Sequence, residues 1–123
     1  MATFRLERAA NLIRQEVSQL ITQGSIKDPR VNSLVVVNRV DVSKDLDFAK
    51  IYVSGYFDDQ ELDRCVEGLN SASGFIQSRL AQRFSFRNTP RLRFIGDRSL
   101  QQGFEITERL KHLDEETRTD PDR

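Results

Sequence analysis

The sequence predicts a single α+β domain, with helices packed on one face of a small three-stranded sheet. Three observations lead there. Apolar residues recur at three- and four-residue steps over residues 4–23, and again between 58 and 84. Two β-branched runs joined by a short polar link lie between those helical stretches. A short alternating run, RLRFIG, follows the second of them. The expected order is α-β-β-α-kink-α-β, plus a short C-terminal helix. A domain over 1–113 and an acidic disordered tail over 114–123 are the expected divisions.

The first helix rests on Leu6, Ala9, Ala10, Ile13, Val17, Leu20 and Ile21, which share one face at helical spacing. Gly24 is placed to end it in a left-handed cap. Pro29 keeps the following SIKDPR segment from continuing as helix. SLVVVNRVDV (33–42) and FAKIYVSGY (48–56) are rich in residues that suit a pleated surface. In the second, Ala49, Ile51 and Val53 alternate with Lys50, Tyr52 and Ser54. The link SKDLD suggests an antiparallel hairpin.

Asp58 and Asp59 stand where a helix start favours acids, ahead of Leu62, Val66 and Leu69. Ile76, Leu80 and Phe84 then form a second apolar stripe. RNTP (87–90) breaks that helix, and Leu92 and Phe94 of RLRFIG are expected to face the core. Ser99 caps the expected last helix, built on Leu100, Phe104, Leu110 and Leu113. The segment 114–123 has no apolar residue to bury.

Composition excludes several function classes. Charged residues make up 31% and hydrophobic ones 37%, as in ordinary globular domains. No apolar run is long enough to span a membrane. The N-terminal MATFRLERAANLIRQE lacks the apolar centre of a secretory signal. A single cysteine excludes an internal disulfide framework. These features together lead us to expect a cytoplasmic protein. No metal or nucleotide motif occurs, so no cofactor or metal is expected. His112 stands alone beside a polar tail and reads as a solvated helix residue. Cys65 lies in register beside Val66 and reads as core, with no histidine in its helix to activate it. The aspartates have roles at helix starts and the hairpin turn. No catalytic residue is expected.

The net charge is zero, from 19 basic and 19 acidic residues, yet it is unevenly spread. No Asp or Glu occurs from Gly68 to Gly96, where average composition would place about four. Within that window lie Arg79, Arg83, Arg87, Arg91 and Arg93. The first three follow at four-residue steps, so they line one helix stripe, about 60° from the apolar one. Arginine stems covering the edge of the core would explain the stripe structurally. The missing acids favour a phosphate-contacting surface instead. Lys27 and Arg30, in the loop after the first helix, are secondary candidates.

The stretch NSASGFI (70–76) interrupts the helical pattern with small residues and Gly74. A glycine inside a helix costs about 1 kcal/mol relative to alanine. Ala72, Ser73 and Gly74 therefore read as an elbow between two helices, with Ser71 or Ser73 capping the second and Gly74 easing the turn.

The element order, with a glycine-containing turn between paired helices, resembles a type II KH domain, a single-stranded nucleic-acid module. Most such domains carry GxxG at that turn; this chain has Ala72-Ser73-Gly74 instead. With IKDPR (26–30), VDVSKDLDFAKIYVS (40–54), LNSASGFIQSRL (69–80) and LRFIGDRSLQQG (92–103), the chain resembles the ribosome-binding factor A family. Arg91 departs from the acid that the family often places after the proline. The resemblance implies a non-catalytic assembly factor that binds the small (30S) ribosomal subunit and 16S rRNA. It implies a role in late maturation and 5′-end processing of precursor 16S rRNA, and in growth in the cold. It also implies a monomer off the ribosome, with a ribosome-associated GTPase acting in release. The missing GxxG favours recognition of folded rRNA over clamping of one strand. Two rival readings stay open: a generic KH-type single-strand binder, and a protein-interaction adaptor that uses the sheet.

Overall fold

The computed structural model describes residues 2–84 and 88–98. The expected C-terminal helix, the tail 114–123, His112 and Arg87 lie outside the described residues. Within them the order is α1 (Ala2–Thr22), β1 (Val36–Val42), β2 (Phe48–Ser54), α2 (Asp59–Ser71), α3 (Ser73–Arg83) and β3 (Arg91–Gly96).

α1 buries Ala9, Ile13, Val17, Leu20 and Ile21, the face that its spacing predicts. It ends as expected: Gly24 takes φ +69°. The Ser25 N–H then reaches the Leu20 carbonyl (3.0 Å) and the Gly24 N–H the Ile21 carbonyl (3.1 Å). That bond pair is a Schellman motif, which satisfies carbonyls the helix end leaves open. The chain next packs along α2. The Asn32 N–H donates to Cys65 Sγ (3.3 Å), and a Cβ on Gly68 would stand 2.9 Å from Val31 Cγ2. Gly68 is thus where the loop approaches the helix too closely for a side chain.

β1 starts three residues later than its composition suggests. Asn32 folds the chain back on itself, its Oδ1 accepting from the Leu34 N–H (2.8 Å) and its carbonyl from the Val35 N–H (3.0 Å). Such an Asx turn competes with strand pairing. β1 and β2 then pair antiparallel, with a bulge at Asn38 between Val37 and Arg39. In their link Leu46 adopts φ 61°. Ser43 and Asp45 hold it there: the Ser43 hydroxyl donates to Asp45 Oδ1 (2.8 Å) and accepts from the Phe48 N–H (3.0 Å). β2 ends at Ser54.

β2 is central and β3 lies parallel to it, in the order β1-β2-β3. A parallel neighbour requires a crossover, here α2 and α3. Ala49, Ile51 and Val53 of β2 are wholly buried beneath the helices, with Leu92 and Phe94 of β3 beside them. Leu62 and Leu69 of α2 and Ile76 and Leu80 of α3 complete the core. Among the described residues no helix packs on the opposite face of the sheet.

The elbow is real, but its chemistry differs from the expectation. Asp58 caps α2 by accepting the Glu61 N–H (2.8 Å). Neither Ser71 nor Ser73 caps α3; Ala72 occupies that position without a side-chain bond. The break falls on Ala72 alone (φ −89°, ψ 3°), whose N–H is shared between the Gly68 and Leu69 carbonyls. Gly74 is an ordinary residue of α3 with negative φ, exposed, and with nothing within 4 Å of a would-be Cβ. The bend therefore does not need this glycine. Gly74→Ala is expected to stabilise the fold by about 0.4–1 kcal/mol through lower unfolded-state entropy. Urea denaturation followed by circular dichroism checks the sign.

Candidate nucleic-acid interface

The structure sorts the arginines into three groups. In the first, neighbours consume the charge. Arg30 grips Asp28 through Nε (3.0 Å) and Nη2 (2.8 Å), and its Nη2 also reaches Ser71 Oγ (3.0 Å). Glu67 stands 3.7 Å away. The bonds from Arg30 hold the Asp28 carboxyl down at about 2. Arg30 thus fastens the loop 26–32 to the end of α2, a task that competes with phosphate contact. Arg98 is used similarly: it bridges Asp59 (2.8 Å) and Asp63 (2.6 Å) and ties the segment after β3 to the start of α2.

The second group lies on α3. Arg79 is exposed, its guanidinium 5.8 Å from the Phe75 ring centroid. Arg83 is exposed too, 3.7 Å from Glu16 of α1. Glu16 is itself nearly buried, so Arg83 also neutralises a carboxylate at the α1–α3 seam. Lys27 is exposed in the loop that follows the C-terminal end of α1.

The third group is on the sheet. Arg91 and Arg93 point away from the helices, because Leu92 and Phe94 take the buried positions of β3. The parallel register sets Arg91 beside Phe48 and Arg93 beside Lys50 of β2. The antiparallel register sets Arg39 of β1 beside Tyr52, and Asp41 beside Lys50. The Arg39 guanidinium lies over the Tyr52 ring, 4.1 Å from its centroid. Among the described residues no carboxylate forms an ion pair with Lys50, Arg91 or Arg93. Arg91 and Arg93 therefore do not continue the α3 stripe; they belong to the opposite side of the domain.

Sequence reasoning missed Arg39 and Lys50 as neighbours of this cluster. The alternation in β2 does place Lys50 and Tyr52 on one face. Only the β2–β3 pairing shows that Arg93 stands beside them. It also missed Asn70 and Gln77, which fix the edge of β3. Asn70 Oδ1 accepts from the Phe94 N–H (2.8 Å), and its Nδ2 donates to the Phe94 carbonyl (3.1 Å). Gln77 Nε2 donates to the Thr89 carbonyl (3.1 Å).

Cys65 is core as expected: fully buried, accepting the Asn32 N–H, with burial pushing its thiol up. Among the described residues no group of His, Cys, Asp and Glu could hold a metal ion. Nor is any described helix long and apolar enough to cross a membrane.

Among the described residues, a three-stranded sheet with one helix-covered face, and paired helices bent at Ala72, define a KH-like α+β domain. The family model for ribosome-binding factor A matches residues 5–110, and the chain belongs to that family. A ribosome-binding factor A from Treponema denticola is 48% identical over 122 residues, 99% of this chain and 91% of its own length. The crystal structure of the Thermus thermophilus protein superposes with a TM-score of 0.63 at 24% identity, over 76% of this chain and 98% of that one. A Thermus thermophilus ribosome binding factor A fitted into a cryo-EM map of a 30S complex gives a TM-score of 0.59 at 26% identity. It covers 72% of this chain and 91% of the other.

Proposed function

We propose that this chain is a non-catalytic assembly factor of the small ribosomal subunit. It binds 16S rRNA on the 30S particle, favours an immature conformation, and so promotes late maturation and 5′-end processing of the precursor. It acts in the cytoplasm and supports growth in the cold. It is a monomer off the particle and leaves as the mature rRNA conformation forms, with a ribosome-associated GTPase aiding release. A factor without a catalytic site can do this only by differential affinity for two states of the RNA.

The observation that carries the reading is the match over 5–110 to a family with a member fitted into a 30S complex. The exposed Arg79, Arg83, Arg91 and Arg93 supply the chemistry. They stand in a segment free of acids, and phosphate contacts contribute most of such affinity.

Co-sedimentation with purified 30S and 50S particles over a salt series tests it. Retention on 30S alone, falling steeply as salt rises, is expected. Equal retention on both particles, or retention indifferent to salt, overturns the proposal.

A further inference from the structure

We propose that the face of the sheet that no described helix covers is a second RNA surface, one that holds a short unpaired segment with a base stacked on Tyr52. The proposal rests on reading the chain as an RNA-binding assembly factor and names a contact separate from the α3 arginines.

Three features of that face point to this ligand. The first is its charge. Arg39, Lys50, Arg91 and Arg93 stand on three adjacent strands, and the strand registers bring them together. Opposing them is Asp41, 3.6 Å from Arg39, with Asp97 near the Asn38 end. The balance attracts a polyanion.

The second is the aromatic pair set among those charges. Phe48 is 37% exposed and Tyr52 half-buried, both on β2 and four residues apart. At a strand rise of 3.3 Å that separates them by roughly 13 Å. A shallow depression between them is lined by Asp41, Val42, Ser43, Phe48, Lys50 and Tyr52. Cations and rings interleaved on an open surface form a stacking platform with an electrostatic track.

The third is that the fold has left this face uncovered among the described residues, since α1, α2 and α3 all pack on the other side.

The mixture selects among anionic partners. An acidic protein would pair with Arg and Lys but give the rings nothing to cover. Duplex RNA keeps its π-faces inside its own stack. Only an unstacked nucleotide offers a phosphate and a free base face together. Arg39 already sits over one face of Tyr52, 4.1 Å from the ring centroid, which steadies the ring, so the base takes the other face.

The test uses the full chain and a fluorescein-labelled hexa-adenylate, with binding read by anisotropy at low salt. Tyr52→Leu is expected to weaken binding about tenfold or more, the effect of one lost base stack. Tyr52→Phe should stay within about twofold, since the ring is kept. A hexaglutamate peptide should not compete. The chain has two tyrosines and no tryptophan, so in a Tyr56→Phe background the tyrosine emission comes from Tyr52 alone. The oligonucleotide should quench it.

Binding unchanged by Tyr52→Leu, equal competition by hexaglutamate, or binding without quenching overturns the proposal. If Tyr52→Leu fails to fold, the quenching decides by itself. Subunit co-sedimentation of the same proteins separates the two readings. Retention on 30S without hexa-adenylate binding removes the sheet surface and leaves the assembly role standing. Loss of both removes the assembly role as well.

Discussion

Asn70→Ala is expected to lower the unfolding free energy by about 2–4 kcal/mol, although Asn70 is a polar residue near the end of a helix. The reason lies in the edge of the sheet. β3 pairs with β2 on one side only, and its register directs the Phe94 N–H and carbonyl to the open side. Asn70 answers both with one amide, at 2.8 and 3.1 Å. Alanine would leave a donor and an acceptor stranded beside a phenylalanine that is 1% exposed. Each such group costs about 1–3 kcal/mol when left unpaired. The site is only part-buried, which places the sum in the lower half of the resulting range, at about 2–4 kcal/mol.

Against a total of about 5–15 kcal/mol for a domain, the loss is large. It should lower the melting temperature by on the order of 10 °C. Asn70→Asp sharpens the test. It keeps an acceptor for the Phe94 N–H but sets a charged oxygen against the Phe94 carbonyl. It should also destabilise at neutral pH, and recover part of the loss in acid as the carboxyl protonates. Urea denaturation of the three proteins decides the matter. An alanine variant within about 0.5 kcal/mol of the parent, the range of an ordinary surface change, would show that the clamp is dispensable.

What was legible in the sequence follows a physical line. α1, the β1–β2 hairpin and the inward residues of β3 are written in local periodicity, and each is found there, save that the Asn32 turn delays the start of β1 to Val36. The parallel β2–β3 pair is not local. It depends on a crossover of two helices, and no short window of sequence contains it. The sheet surface was hidden for that reason: Lys50 and Arg93 become neighbours only through that pairing.

The elbow shows a different limit. Gly74 is the residue with the poorest helix propensity in NSASGFI, so propensity points to it. The structure bends two residues earlier, at Ala72, where a shared N–H bond lets one helix end and the next begin. The arginines show a third. Arg30, Arg79, Arg93 and Arg98 are alike as letters. Asp59 and Asp63 claim Arg98 from more than thirty positions away, while nothing described forms an ion pair with Arg93. Partner identity is tertiary information.

That sorting determines which variants can test RNA contact. Replacing Arg79, Arg91 and Arg93 together by Gln is expected to weaken 30S association about a hundredfold or more at 0.1 M salt. Each phosphate contact releases a condensed counterion, and the slope of log K against log salt changes by about 0.7–0.9 per contact. Three contacts at 0.1 M therefore carry about two decades or slightly more, and the slope should fall by about two to three units. The fold should be unaffected, because all three side chains are exposed and none forms an ion pair among the described residues.

Arg83 does not belong in that set. Its removal leaves Glu16 nearly buried without its cation, so a binding loss would be mixed with a stability loss. It is better tested as Arg83→Gln with Glu16→Gln, which removes both charges of the pair. Splitting the triple into Arg79→Gln and the β3 pair separates the helix surface from the sheet surface. If only the β3 pair flattens the salt slope, the RNA lies on the sheet side; if only Arg79 does, it lies along α3. A slope unchanged in the triple variant, with native circular dichroism, would remove all three arginines from the interface.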